Sequence, residues 1–354
     1  MEQLTKVDRA EDPWFAVRTA LGVGLAVVLA EPLGITVPML PAAFALALLS
    51  GQRGAFDLRR AMVPLIIPLL AWIVSFLATA TLGEPLLFTA VFMALCAAGL
   101  ALMLFRAGPV GVVVIVIPTM LSIAAVTSDQ SLIAMRDSMA MTGVMLTVLI
   151  IVLNLVFPPA TRRIHIPRSD PHQPEKPLLD LALRSAIFAP VLLYCCAAAD
   201  TNLIIMPIMV AYVLGQSDHA MRRREVIERL SATVIGAAVA MLILLAYRLM
   251  PHWPLLVAAM TLVTLYFTAK MFDGARSAVT YQFACSVTAI IVMSSFTNRD
   301  TIEIVLQRVV LSTMAALMAL CLLALLEAFI LAPRRRRALP VAGQPLGQEP
   351  GALA

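Results

Sequence analysis

The sequence predicts an all-α polytopic membrane protein with about twelve transmembrane helices, arranged as two parallel six-helix repeats. Three observations predict this fold: the apolar composition, the distribution of Lys and Arg, and an internal repeat. Of the 354 residues, 61% are hydrophobic and 13% are charged, and the mean hydropathy is +0.93. Soluble domains average about 45–50% apolar and about 25% charged residues, so this composition excludes a water-soluble enzyme.

Apolar windows long enough to cross a bilayer recur along the chain, and all are predicted to be helices because an open strand cannot satisfy its backbone in lipid. In the first half they lie at residues 14–30, 35–50, 61–81, 85–105, 109–126 and 138–157. In the second half they lie at residues 179–198, 202–215, 230–250, 253–271, 277–296 and 304–331. The first window has no small-residue cleavage pattern, which favours a span over a signal peptide.

The 26 Lys and Arg residues fall mostly on alternate connections between these windows. Cytoplasmic loops carry the excess of Lys and Arg in membrane proteins, so this pattern predicts that both termini are cytoplasmic. We therefore expect a multi-pass protein of the bacterial inner membrane. The net charge of +5 is attributed to a basic rim at the lipid bilayer surface, and nucleic acid is not expected as a partner.

An internal repeat relates the two halves of the chain. The segment Ala16–Ala20 resembles Ala182–Ala186, and Pro41 aligns with Pro207, both at an offset of 166 residues. Because each unit has an even number of spans, the copies share one orientation, and a rotation about the membrane normal should relate them, with any pathway between the halves. The predicted segments are a cytoplasmic N-terminus (1–13), a first repeat (14–157), a cytoplasmic linker (158–178), a second repeat (179–331) and a basic, disordered cytoplasmic tail (332–354).

Catalytic and metal-binding motifs are absent from the sequence. The four histidines lie in loops or at span ends, and no phosphate-binding Gly-x-x-x-x-Gly-Lys motif occurs. The five cysteines lie within apolar runs without metal-ligand spacing. We therefore expect no enzyme activity, no cofactor and no metal, and any transport should run downhill or on an ion gradient.

Arg18 and Arg184 are the leading candidates for substrate binding. A cation inside a transmembrane helix costs about 2.5–3.5 kcal/mol at the bilayer centre and usually faces a cavity. The two residues occupy equivalent positions in the repeats, so both are predicted to face one cavity between the halves and to bind a carboxylate. The alternative is that each side chain extends to the lipid phosphates.

Prolines mark the second and eighth spans, which are short. Pro41 and Pro207 lie at corresponding places in both halves, and short spans interrupted by Pro are typical of transporter binding sites. The alternative is a simple kink packed against neighbouring helices.

Further candidates lie elsewhere in the spans. Arg136 and Arg308 form a second equivalent pair at the outer side. They could bind substrate, or they could anchor their helices at the membrane interface. Glu327 is a candidate for proton coupling, although it could instead pair with the basic cluster that follows it. Tyr212 is one of several aromatic residues that could stack on a substrate ring.

A segment of the second half resembles the fusaric acid resistance and aromatic acid exporter superfamily. A short span ends near Gly215, a basic loop follows, and a helix begins with the pattern Arg-Leu-x-x-Thr-x-x-Gly at residues 229–236. The first half departs from this pattern, since Arg60 is followed by neither the Thr nor the Gly. Only a short linker separates the halves, so the chain resembles a short member without the large cytosolic domain. The resemblance implies an efflux protein, often paired with a periplasmic membrane-fusion adaptor.

Three functions remain open on the sequence. The first is a secondary exporter, not driven by ATP, of small organic anions such as aromatic carboxylic acids. The second is an anion channel built on the same six-helix unit, which would need a continuous Arg-lined pore. The third is a structural or signalling membrane protein without transport.

Overall fold

The structure is a computed structural model, and it describes residues 12–52, 54–105, 108–161, 177–215, 219–272, 277–295 and 301–326. Every regular element within these residues is helical, which confirms the predicted all-α fold. The first six main helices are α1 (Phe15–Ala30), α2 (Met39–Ser50), α3 (Ile66–Thr81), α4 (Pro85–Phe105), α5 (Gly108–Thr127) and α6 (Asp129–Val156). The second six are α7 (Pro177–Ala198), α8 (Ile205–Leu214), α9 (His219–Leu249), α10 (Trp253–Lys270), α11 (Ala278–Ser294) and α12 (Thr301–Leu326).

Short helical turns precede two of these helices. A four-residue helix, Leu58–Ala61, and a 3-10 turn, Val63–Leu65, lead into α3, and the 3-10 turn Thr201–Ile204 leads into α8. Each of the twelve apolar windows therefore corresponds to one main helix. Within the predicted segments, residues 1–11, 162–176 and 332–354 lie outside the described residues.

Two helices begin well before their apolar windows. The sixth window was predicted to start at residue 138, but α6 starts at Asp129, where the Ser128 hydroxyl accepts a hydrogen bond from the Ser131 N–H. The ninth was predicted to start at residue 230, but α9 starts at His219. The reason is that hydropathy windows detect the apolar part of a helix, whereas a polar extension is stabilised by capping and continues the same backbone.

Seven helices in the described part of the chain are long and apolar enough to cross a membrane by themselves. They are α3 with its lead-in, α4, α5, α6, α7, α9 and α10. Large apolar side chains on their outer faces are exposed, for example Phe76 and Leu155. A surface of this kind suits lipid, and the chain is a multi-pass membrane protein.

The two shortest main helices are α2 and α8, with 12 and 10 residues. At 1.5 Å per residue each covers about half of a hydrocarbon core of about 30 Å. Pro41 and Pro207 are each the third residue of their helix, so they lie in the first turn, where the backbone N–H groups have no partner within the helix. These prolines therefore begin the two short helices and do not break a longer one.

The packing between helices recurs with a shift of six helices. Helix α1 packs on α2 as α7 packs on α8, and α3 packs on α5 and α6 as α9 packs on α11 and α12. Between the halves, α1 packs on α10 as α7 packs on α4, and α2 packs on α11 as α8 packs on α5. Two six-helix repeats would produce this pattern; their relation by a rotation about the membrane normal stays a prediction.

Two hydrophobic cores divide the bundle, and they do not follow the halves of the sequence. The core of lobe A is built mainly from α3, α4, α5, α7 and α8. The core of lobe B is built mainly from α1, α2, α9, α10 and α11. Each lobe thus combines the first two helices of one half with the third to fifth helices of the other half.

Helix α6 belongs to both lobes. Its first part, through Leu132, Met135 and Met139, packs into the core of lobe A. Its last part, from Met145 to Leu153, packs into the core of lobe B. Helix α12 is shared in the same way, since Ala315 and its neighbours pack into lobe A while Val309 contacts lobe B.

Candidate functional site

One end of the bundle collects arginines at the ends of several helices. This basic end includes the starts of α1, α7 and α9 and the ends of α2, α6 and α8, and it is the side that the charge distribution predicts to be cytoplasmic. Arg18, Arg184 and Arg229 are all buried there, with residue exposures of 3%, 2% and 5%. Because a buried guanidinium requires hydrogen bonds or counter-charge, their partners define what each one can do.

Arg18 is held by a carboxylate and a helix terminus. Its guanidinium donates to the Asp12 carboxylate at 2.8 Å and to the Phe157 carbonyl, at the end of α6, at 3.0 Å. The same Asp12 carboxylate accepts a hydrogen bond from the Gly54 N–H at 3.1 Å. The pair therefore ties together the start of α1, the end of α6 and the connection that follows α2.

Arg184 has a similar arrangement in the second half. It donates to the Asp180 carboxylate, one turn earlier on α7, at 2.8 Å, and it also donates to the Leu214 carbonyl at the end of α8. Both predicted substrate arginines are thus paired with a carboxylate of the protein and with the carbonyl end of a neighbouring helix.

The structure gives Arg18 and Arg184 separate sets of partners. Two clefts in the described part of the chain are lined by other residues, and neither Pro41 nor Pro207 lines them. One cleft lies beside Arg60 and Asn154, and the other lies between α4, α5 and α8. The predicted common cavity of the two arginines is therefore not one of these clefts, and their role in binding stays a prediction.

The outer candidates are placed apart from the basic end. The Arg136 guanidinium lies over the Trp72 ring at 3.9 Å and contacts the Asp137 carboxylate at 2.8 Å. Trp72 is 54% exposed on the apolar surface, a position typical of an interface anchor. The backbone of Arg308 lies in α12 but its side chain is outside the described residues, as is all of Glu327.

Arg229 forms a cation–π cluster that was not predicted as a site. Its guanidinium carbon lies 3.7 Å from the centre of the Tyr212 ring and 4.6 Å from that of the Phe283 ring. These three residues come from α9, α8 and α11, so the cluster joins the end of one short helix to two helices of lobe B. We call Arg229, Tyr212 and Phe283 the aromatic clamp.

The motif that begins at Arg229 has a physical explanation in the packing of α9. Residues 229, 233 and 236 lie on one face of the helix. The Thr233 hydroxyl is buried and donates to the Arg229 carbonyl, and the Thr288 hydroxyl of α11 donates to the Gly236 carbonyl at 3.0 Å. A Cβ at Gly236 would lie 2.5 Å from the Ala284 carbonyl oxygen, so only glycine permits this close contact of α9 with α11.

A polar contact next to the clamp joins α9 to the start of α11. Glu228 accepts hydrogen bonds from the Arg224 side chain at 2.7 Å and from the Ser277 hydroxyl, which caps α11, at 2.6 Å. The hydrogen bond to Glu228 raises the pKa of the exposed Arg224 guanidinium above its ordinary value. The Ser277 bond joins α11 to α9 at the basic end and so positions Phe283 against Arg229, whereas the Arg224 bond lies within α9.

One feature of the sequence pointed to Arg229, because it is the first residue of the Arg-Leu-x-x-Thr-x-x-Gly motif. It was missed because it precedes the predicted ninth window by one residue and was therefore counted among the loop charges. Once α9 is seen to begin at His219, Arg229 lies three turns inside a helix.

Metal binding is a separate question. The described residues contain no group of three His, Cys, Asp or Glu side chains able to hold a metal ion.

The comparison with known families concerns the second half of the chain. Residues 186–322 match the family model described as fusaric acid resistance protein-like, and this segment contains the whole aromatic clamp. The match confirms the resemblance predicted from the motif. No curated protein and no solved structure matches the chain.

Proposed function

We propose that this chain, whose second half is of the fusaric acid resistance type, is a secondary exporter of small organic anions, and of aromatic carboxylic acids in particular. The observation that carries the proposal is the aromatic clamp: a buried guanidinium enclosed by two rings from different helices. An aromatic carboxylate needs a cation for its charge and apolar, ring-bearing walls for its body. The clamp offers both in one place, inside the segment that matches the family.

The replacement of a protein ring by a substrate ring at Arg229 favours an aromatic anion over an aliphatic one. A desolvated cation–π contact is worth about 2 kcal/mol, and an arriving substrate ring can replace one of the two protein rings with little net loss. The substrate carboxylate then meets a planar guanidinium that can donate two parallel hydrogen bonds. An aliphatic acid such as acetate gains the charge contact alone.

Arg18 and Arg184 have a different place in this proposal. Each already holds a carboxylate of the chain, so a substrate anion would have to displace Asp12 or Asp180 to reach them. We propose that they act mainly by fixing helix ends around the substrate path. We propose that Arg229 makes the first contact with substrate, because it lies against two rings inside the segment that matches the family.

Transport is proposed to run from the cytoplasm outward, with both termini cytoplasmic and the chain in the inner membrane of a bacterium. The basic end would then load the substrate from inside. An ion gradient supplies the energy in this proposal, with Glu327 as the coupling candidate, and a periplasmic membrane-fusion adaptor would continue the path through the envelope.

The test is benzoate transport by purified protein in proteoliposomes under an imposed pH gradient. Arg229→Ala should lower the rate by about tenfold or more, since a charge-assisted hydrogen bond is worth about 1.5–3 kcal/mol. Arg229→Lys should recover only part of it, because lysine lacks the planar fork. Arg224→Ala, which removes a neighbouring arginine whose side chain is 75% exposed, is the matched control and should stay within about twofold of the parent.

Acetate serves as the second substrate in the same vesicles. Tyr212→Leu should raise the KM for benzoate and leave that for acetate nearly unchanged, because acetate has no ring to stack. Benzoate current without any proton gradient would favour the anion channel, and no benzoate movement above empty vesicles would favour a structural or signalling protein. Equal loss in the Arg229 and Arg224 variants would refute the role of the clamp.

A further inference from the structure

The geometry points to lobe A and lobe B, and not the two halves of the sequence, as the bodies that move during transport. In this inference α6 and α12 are shared by both bodies, and Phe44, Leu48 and Phe283 form the apolar gate between them. The inference rests on the proposed transport function. It places the substrate path at the boundary between the lobes, and it adds Phe44 and Leu48 to the residues of the aromatic clamp.

Each lobe is held together by close contacts that cross from one sequence half to the other. In lobe B, a Cβ at Gly24 of α1 would lie 2.3 Å from the Thr261 hydroxyl oxygen of α10, so these helices are in tight contact. In lobe A, the Cys196 thiol of α7 lies 3.9 Å from the Ser122 hydroxyl of α5. Moving the halves apart would break such contacts in both lobes at once.

Further polar contacts join the halves within the lobes. In lobe A the Thr127 hydroxyl, which donates to the Ile123 carbonyl of its own helix, also lies 3.2 Å from the Ala199 carbonyl oxygen just after α7. In lobe B the Thr268 hydroxyl, which donates to the Thr264 carbonyl, also lies 3.4 Å from the Ala16 carbonyl oxygen of α1. These contacts show that helices of different halves pack closely within each lobe, so each lobe behaves as one packed unit.

The part of the boundary between the lobes that is formed by α2 and α11 is apolar, and the contact of Arg229 with the Tyr212 ring also crosses the boundary. Phe44 and Leu48 on α2 and Phe283 on α11 pack against the cores of both lobes. Apolar contacts are not directional, so side chains at such a boundary can shift past one another at small cost. The clamp lies along this boundary, because Tyr212 is on a helix of lobe A whereas Phe283 is on a helix of lobe B.

Helix α6 changes from one core to the other near Gly143. Met139 belongs to the core of lobe A, and Met145 belongs to the core of lobe B. Between them, the Thr142 hydroxyl is buried without a hydrogen-bond partner, and a Cβ at Gly143 would lie 2.7 Å from the Pro64 carbonyl oxygen. A small residue at the changeover lets α6 pass close to the turn before α3.

Motion of the two lobes and motion of the two sequence halves make opposite predictions for engineered disulfides. Thr36 and Ser138 are both in the first half, and their hydroxyl oxygens lie 3.0 Å apart. Thr36 follows Ile35 of the lobe B core, in the connection between the lobe B helices α1 and α2, whereas Ser138 lies in the part of α6 that packs into lobe A. Ser122 and Cys196 are in different halves but in the same lobe. Each pair would be built in a chain whose other native cysteines are replaced by Ala: Cys96, Cys195, Cys285 and Cys321, and also Cys196 for the first pair.

We expect the oxidised Thr36→Cys/Ser138→Cys pair to lower benzoate transport by about tenfold, and reduction to restore it, because the bridge locks the lobes. We expect the oxidised Ser122→Cys variant, bridged to Cys196, to transport within about twofold of its reduced form. The reverse pattern would show that the halves move and would overturn the inference. If the reduced proteins carry no benzoate at all, it is the proposed function that fails.

A distance measurement decides the inference independently of transport. Spin labels would be placed on exposed residues at the outer tips: Leu33 between α1 and α2, Leu82 after α3, and Met250 between α9 and α10. Pulsed electron resonance should show that the Leu33–Leu82 distance, across the lobes, shifts when benzoate is added. The Leu33–Met250 distance, within lobe B, should stay fixed. A fixed Leu33–Leu82 distance, or a shift within lobe B, would refute the inference.

Discussion

Replacing Asp12 with alanine would leave the Arg18 guanidinium buried without its counter-charge. The Asp12 and Arg18 side chains are 0% and 3% exposed and their charged atoms are 2.8 Å apart. Removing one partner of such a buried pair costs about 3–5 kcal/mol, because the remaining charge stays desolvated. The Gly54 N–H would lose its acceptor as well.

The double variant Asp12→Ala/Arg18→Met separates the cost of an unpaired charge from the value of the pair. Replacing a buried ion pair by apolar residues is often neutral, so the double variant should lie within about 2 kcal/mol of the parent. The double-mutant cycle should therefore give a coupling energy of at least about 1 kcal/mol. Unfolding would be followed by circular dichroism as the fraction of denaturing detergent in mixed micelles is raised.

Asp137→Ala provides the matched control. Asp137 is also paired with an arginine at 2.8 Å, but its side chain is 55% exposed, and an exposed pair contributes at most about 1 kcal/mol. Equal losses for Asp12→Ala and Asp137→Ala would refute the reasoning, since burial is the main difference between the two pairs.

Two glycine substitutions test the packing by the same unfolding measurement. Gly111→Ala should cost about 1–3 kcal/mol, because a Cβ there would lie 2.6 Å from the Met103 backbone nitrogen and force α5 away from α4. Gly34→Ala should cost about 1–2 kcal/mol, since the backbone φ of +67° is unfavourable for a residue with a Cβ. Gly83→Ala meets no atom within 4 Å and should be neutral; a loss there equal to the other two would contradict both explanations.

The helices could be predicted from the sequence because lipid imposes a length and an apolar surface on each span. The window 85–105 coincides with α4. The starts of α6 and α9 could not be predicted in this way. The start of α6 has the Ser128 cap, and the part of α9 before the apolar window contains the Arg224–Glu228 hydrogen bond; a hydropathy window records neither.

The site was less accessible to sequence reasoning than the fold. Arg18 and Arg184 were predicted to lie inside transmembrane spans and either to face one cavity or to extend to the lipid phosphates. Both are buried, and each is paired with a carboxylate of the chain. Their partners could not be predicted, because Phe157 and Leu214 are distant in sequence and contribute only backbone carbonyls. Arg229 was missed because it lies one residue before the predicted ninth window and was counted among the loop charges. Its ring partners Tyr212 and Phe283 reach it through tertiary packing alone.

The exchange of helices between the lobes has a consequence for biosynthesis. A ribosome delivers α1 and α2 to the membrane long before α10 and α11 exist, so these two helices must remain in lipid with an unfilled packing face until their partners are inserted. Helices α3, α4 and α5 wait in the same way for α7 and α8. A chain that terminates after α6 would leave both lobes unfinished, so neither half has a complete core of its own.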